Sequence, residues 1–254
     1  MELATYHFLL LCVFGASLLT FCILMFISAP YGKQEREGWG PGVNMRFGWF
    51  ILELPAFAGM LYFYWIGEHT LAAAPLMLFA LFQIHYFHRT FIYPFTLRVK
   101  PEARYKIILL SFGMAFNAVN GALNGWFLST LATHLHSNAW LLDPRFIAGL
   151  LLFGAGFALA KQSDAILRNL RQPGETGYKI PHGGAYRWVS CPNYLGEILQ
   201  WTGFALAGWS LPAVAFVCFT AANLVPKAIS SHRWYREKFS DYPAERKAIF
   251  PFLL

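Results

Sequence analysis

Glu53 in FILELPAF, Tyr86 in QIHYFHRTF and Glu197 in SCPNYLGE stand a few residues inside apolar runs, where ionisable groups are expensive and therefore mark function or a buried partner. An acid and a phenol at one depth imply a pocket, entered by an apolar ligand from the bilayer and by a charged, water-borne cofactor from the cytosol. A carboxyl in a low dielectric favours its neutral, donating form, whereas an ionised one orients the phenol. At 1.5 Å per residue, Glu53 lies roughly 10 Å and Glu197 roughly 8 Å inside the cytoplasmic edge, with Tyr86 at a similar depth. Three helices thus offer one polar shelf. Next to it, residues 164–197 bring Arg168, Arg171, Lys179 and Arg187, a Pro-Gly turn and paired glycines into an otherwise oily chain. Pro192, after Ser190-Cys191, fits the first position of a helix whose amides and positive dipole end attract phosphate. The segment reads as a cofactor-binding loop, against the plainer alternative of a loop that is basic for topology alone.

The elements that must hold these groups are membrane helices. Of 254 residues, 57% are apolar, 18% aromatic and only 13% charged, against about a quarter charged in soluble domains. Apolar runs at about 7–28, 46–66, 70–88, 105–130, 145–163, 192–208 and 210–229 predict an all-α integral membrane protein of seven transmembrane helices. Gly208-Trp209-Ser210-Leu211-Pro212 reads as a tight hairpin between the last two. All but Arg145 of the 20 Lys and Arg fall after the first, third, fifth and seventh spans. By the positive-inside rule that side is cytoplasmic, with the N-terminus outside and the C-terminus in the cytoplasm. The net charge of +7 is therefore a topology signal, and no nucleic-acid partner is inferred.

The first run lacks a basic leader region and is kept as a permanent helix. The polar, glycine-rich residues 30–42 after it suit a mobile cover. Pro55 should loosen the second helix near Glu53 and free a carbonyl. Asn117, Asn120 and Asn124 share one helix face with Gly113, Gly121 and Gly125, a pattern read as helix-packing glue, with Asn120 also a wall of the substrate pocket. Neither HExxH nor a Cys/His ligand spacing occurs, so no metal is assigned and the four cysteines are expected to be free thiols. His232 and Tyr235 leave the membrane where they would reach the cofactor loop, and Arg246 and Lys247 suit a membrane-surface helix.

The runs FILELPAF, HYFHRTFIYP, LRQPGETGYKIPHGG, SCPNYLGEILQW and DYPAERKAIFPF closely resemble the steroid 5α-reductases, over most of the chain from about residue 46. The resemblance implies a membrane enzyme that uses NADPH to reduce the carbon–carbon double bond of a 3-oxo-Δ4 steroid or similar apolar enone. It implies that Glu53 and Tyr86 contact the ketone as the catalytic pair. Asp164, Arg171, Tyr178, Asn193, Glu197 and Tyr235 would be cofactor ligands, joined by Arg168 and His232 from the basic loop and helix end. Arg89, Tyr93, Arg98 and Lys100 correspond to a basic edge near the same cofactor, and Trp201 joins Asn120 in the substrate pocket. The chain departs from the family at Leu52, where animal members carry Gln, and at Ala160 and Ser231, which replace polar residues. It is expected to be one membrane domain, 1–254, with helices 1–4 (about 7–130) forming most of the pocket and 145–254 carrying loop 164–193 and the tail. The membrane is the bacterial inner membrane or the endoplasmic reticulum, the site opens to the cytosol, and no obligate protein partner is inferred. The CPNYLGE helix start also resembles membrane methyltransferases that use S-adenosylmethionine, the alternative enzyme; a non-catalytic sterol-binding protein is the other.

Overall fold

The computed structural model describes residues 1–27, 38–172, 175 and 177–254. Most of the suggested cover, residues 30–37, and the Pro173-Gly174 turn lie outside the described residues. Helices form at all the predicted places: α1 (Leu3–Phe26), α2 (Met45–Trp65), α3 (Ala73–Phe87), α5 (Ile107–Trp126), α6 (Pro144–Asn169), α7 (Pro192–Gly208) and α8 (Leu211–Lys238). Five of these, α1, α2, α5 with its continuation to Leu131, α6 and α8, are long and apolar enough to cross a membrane. The 15 residues of α3 and 17 of α7 fall short of that length. A π-helical turn (His88–Ile92) carries α3 on into the short α4 (Tyr93–Thr96).

Local chemistry sets the helix ends. Asn44 caps α2 by accepting from the amides of Arg46 and Phe47 at 3.0 and 3.3 Å, and Asp143 caps α6 through Arg145 N at 2.8 Å, ahead of Pro144. Pro192 occupies the first turn of α7, as its sequence predicts. The hairpin after Gly208 is made by Trp209 in the left-handed region (φ 43°), with Ser210 capping α8 through Ala213 N at 3.3 Å. One element was not legible: β1 (Gly42–Asn44) pairs antiparallel with β2 (Arg104–Lys106), Val43 opposite Tyr105, tying the start of α2 to the start of α5.

Two helix pairs carry the bundle, α6 along α7 and α2 along α5. In both, glycine lets backbones touch, the usual device where lipid removes the hydrophobic drive for association. A Cβ on Gly156 would collide with the backbone of Gln200, and one on Gly203 with that of Phe153. Across the other pair, a Cβ on Gly121 would stand 2.6 Å from Ala56 O. Between the pairs lies an aromatic core in which Trp201 meets Phe216 at 4.5 Å, Phe82 at 5.6 Å and Phe153 at 6.1 Å. α1 rests mainly on α8 and shows most of its apolar surface.

The tail corrects a sequence expectation. Residues 246–248 form no surface helix but run beside the start of α7: Ser190 N donates to Lys247 O at 2.8 Å, Cys191 N to Ala248 O at 3.1 Å, and Lys247 N to Trp188 O at 3.0 Å. Arg246 is 3% exposed; its Nη1 donates to Pro181 O at 3.0 Å and its Nη2 meets His182 Nδ1 at 3.4 Å, so neighbouring loop groups take up its guanidinium.

Gly156→Val should lower the thermal midpoint of the detergent-solubilised protein sharply, since overpacking costs about 1–3 kcal/mol even where side chains alone must yield. Gly154→Val, where an added Cβ meets nothing within 4 Å, should leave the midpoint near wild type in the same assay.

Candidate active site

The shelf is organised by Arg89, which the π-helical turn presents between α2 and α7. Its Nε and Nη2 donate to Glu53 Oε1 at 3.0 and 2.6 Å, and its Nη1 to Glu197 Oε1 at 3.1 Å. The guanidinium also lies over Trp49 and Tyr93, 5.1 and 5.5 Å from their ring centroids. A π-turn inserts an extra residue per turn and so re-aims the side chains beyond it; here it brings a cation from the end of α3 to two carboxylates. Buried charge is tolerated only when paired in this way. Glu53 is therefore held as the partner of an arginine.

Tyr86, 3% exposed, stacks on Phe82 at 4.6 Å on α3. Its oxygen accepts from Asn120 Nδ2 at 3.3 Å, and Asn124 Nδ2 braces Asn120 Oδ1 at 2.9 Å. One turn away on α5, Asn117 Nδ2 donates to Leu52 O at 2.7 Å and to Glu53 Oε2 at 3.4 Å. Leu52 lies three residues before Pro55, which α2 carries without a break. A single face of α5 thus orients both the phenol and the acid, which is more than packing glue. Because Asn120 donates to the phenol oxygen, the phenol proton is left to donate to another acceptor.

Toward the rim, Asn193 Nδ2 donates to Asp164 Oδ1 at 3.2 Å, and Lys161 Nζ lies 3.0 Å from His88 Nδ1. Arg98 and Arg171 bind each other's carbonyls, Arg171 Nη2 reaching Arg98 O at 3.4 Å and Arg98 Nη1 reaching Arg171 O. Tyr178 faces Arg171, 5.9 Å from its guanidinium, and meets Trp234 at 5.0 Å. Arg168 is half-buried and Lys100 exposed. Lys179 is turned to its own loop: its bond to Glu175 at 2.6 Å, helped by Gln172 N, holds that carboxyl below the ordinary range. His232 Nδ1 meets Ser190 Oγ at 2.6 Å and Tyr235 stacks on Tyr242 at 5.3 Å, so these two join the tail to the start of α7.

A family model described as 3-oxo-5-alpha-steroid 4-dehydrogenase matches residues 103–254. Steroid 5-alpha-reductase DET2 of Gossypium hirsutum is 39% identical over 98% of this chain and 97% of its own length. 3-oxo-5-alpha-steroid 4-dehydrogenase 1 of Rattus norvegicus is 43% identical over 91% and 88%, and 3-oxo-5-alpha-steroid 4-dehydrogenase 2 of Homo sapiens 41% identical over 91% of each. The chain belongs to the steroid 5α-reductase family. It is an oxidoreductase, and the family decides against the methyltransferase alternative.

The residues that spacing did not reveal are Asn117, His85 and Gln200. Asn117 was visible only as part of a polar helix face. His85 and Gln200, buried and joined at 2.8 Å, lie on separate helices with no motif between them.

Arg89→Met should cost about 3–5 kcal/mol, because it strands two carboxylates in the bundle. Adding Glu53→Gln and Glu197→Gln should restore much of the loss; a thermal or denaturant midpoint for the single and triple variants measures this coupling.

Proposed function

We propose that this chain reduces the carbon–carbon double bond of a 3-oxo-Δ4 steroid, or a similarly apolar enone, with NADPH as hydride donor. The observation that carries the reading is the Tyr86 phenol: buried, braced by Asn120 and keeping a proton to donate, beside the Arg89-bridged carboxylates. In the same reading α3 and α7 cross the bilayer together with the five longer helices, with the N-terminus outside and the site opening to the cytosol. The placement of the basic residues supports that orientation.

The rim suits a phosphate-bearing dinucleotide. Arg98 and Arg171 direct their N–H groups to backbone carbonyls, and among the described residues neither pairs with a carboxylate. Their charge is thus available to phosphate, which guanidinium grips in bidentate fashion. Asp164 with Asn193, at the N-terminus of α7, offers acceptors to ribose hydroxyls. Tyr178 and Tyr235 flank the same rim, with His232 behind Ser190.

The bound cofactor supplies a hydride to the β-carbon of the enone. Tyr86 donates to the ketone oxygen, so the electron pair displaced from the double bond comes to rest on an oxygen already held by a hydrogen bond. Glu53, fixed by Arg89 and Asn117, keeps the polar wall beside the phenol in one geometry, and Asn120 holds the phenol itself. Trp201 and Phe82 shut water out of this end of the pocket. A proton on the α-carbon completes the saturated ketone.

Purified protein given testosterone or progesterone should consume NADPH, read as loss of reduced-nicotinamide absorbance; no consumption with any 3-oxo-Δ4 steroid overturns the reading. Tyr86→Phe should lower kcat/KM by about 10²–10³ with NADPH affinity little changed. Arg171→Ala should instead weaken NADPH binding by about tenfold or more.

A further inference from the structure

Arg89 meets Glu197 across the gap between the end of α3 and α7, and one turn along both helices His85 meets Gln200 in the same way, Nδ1 to Nε2 at 2.8 Å. This second rung carries no charge and has a loose end. Gln200 is fully buried, yet its Oε1 has no hydrogen-bond partner, and a buried amide oxygen left bare is costly enough to call for a ligand. No partner of His85 Nε2 occurs among the described residues either. With Gln200 Nε2 donating to His85 Nδ1, Gln200 keeps an acceptor and His85 an Nε2–H donor. Turning the amide over with the other tautomer exchanges these functions between the two residues. Either way the pair presents one donor and one acceptor.

Its surroundings say which group takes them. The His85 ring lies 4.6 Å from Trp201 and 5.2 Å from Tyr86, so the rung borders the place where the phenol meets the ketone. Hydride transfer requires reacting atoms about 3–3.5 Å apart. The nicotinamide ring must therefore lie beside the enone, and its carboxamide is attached to the carbon next to the one that gives up hydride. The other polar groups nearby are engaged: Glu53 and Glu197 by Arg89, and Asn120 by Tyr86 and Asn124. A primary carboxamide needs one acceptor for its N–H and one donor for its oxygen.

We propose that His85 and Gln200 bind the carboxamide of the nicotinamide ring and so fix the ring face turned to the enone. This rests on the NADPH reading above. The assignment concerns this chain's own pair, an uncharged amide set against an imidazole, and a simple aromatic wall would not discriminate among ring substituents.

The test titrates the purified full chain, by quenching of tryptophan emission, with NADP⁺ and with its acetylpyridine analogue, in which a methyl group replaces the amide nitrogen. Wild type should prefer NADP⁺ by about tenfold, the loss expected when a buried group goes unsatisfied. Gln200→Leu and His85→Phe, each still binding NADP⁺, should bring that ratio to within about twofold of unity. Equal binding of the two dinucleotides by wild type, or a full preference surviving in either variant, overturns the proposal while leaving the cofactor reading in place. If wild type does not bind NADP⁺ at all, the cofactor reading falls and this inference with it. Should both variants lose NADP⁺ altogether, the wild-type ratio decides.

Discussion

One guanidinium holding two carboxylates is the constraint around which the bundle is arranged. Glu53 on α2 and Glu197 on α7 belong to different helix pairs, and neither would be tolerated in an apolar interior alone. Arg89 joins them at 2.6 and 3.1 Å, and its flat face is covered by Trp49 and Tyr93. The pairs α2–α5 and α6–α7 each close on themselves through glycine, so this polar bridge, with the aromatic core around Trp201, sets their registry. A buried ion cluster contributes little net stability in such a place. Its value lies in admitting a single arrangement.

The division of labour between walls and rim comes from the same packing. Glycine-rich contacts supply rigid walls, because backbones in direct contact cannot slide without breaking many close approaches at once. Against those walls the asparagines of α5 hold the acid and the phenol from one side. Toward the rim the chemistry changes to arginines bonded to carbonyls and to a loop that satisfies Lys179 with its own Glu175. Rigidity near the phenol and adaptable cations at the rim suit the proposed reaction, in which a flat apolar molecule must be aligned closely and a long charged one gripped at many points.

Much of this was legible in the sequence, for a physical reason. Charges inside apolar runs are rare, so Glu53 and Glu197 stood out, and helical rise placed them with Tyr86 at one depth. Apolar length gave the helices, and Pro192 and Trp209 marked their ends. The features that stayed hidden depended on backbone detail or on distant pairing. Arg89 read as part of a basic edge because no residue pattern announces the π-turn that rotates it inward. Asn117 looked like glue because an amide that donates to a neighbouring helix backbone and one that orients an acid leave the same trace. Arg246 and Lys247 suggested a surface helix by composition, whereas a carbonyl and a histidine ring of a loop more than 60 residues earlier claim the arginine.

The tail's place beside the start of α7 bears on how the molecule is made. Residues 246–248 leave the ribosome after every helix, yet they supply the carbonyls that bind the amides of Ser190 and Cys191. Insertion of the helices can be complete while the rim at the head of α7 still lacks its lining. Completion of that rim thus waits on the last residues of the chain.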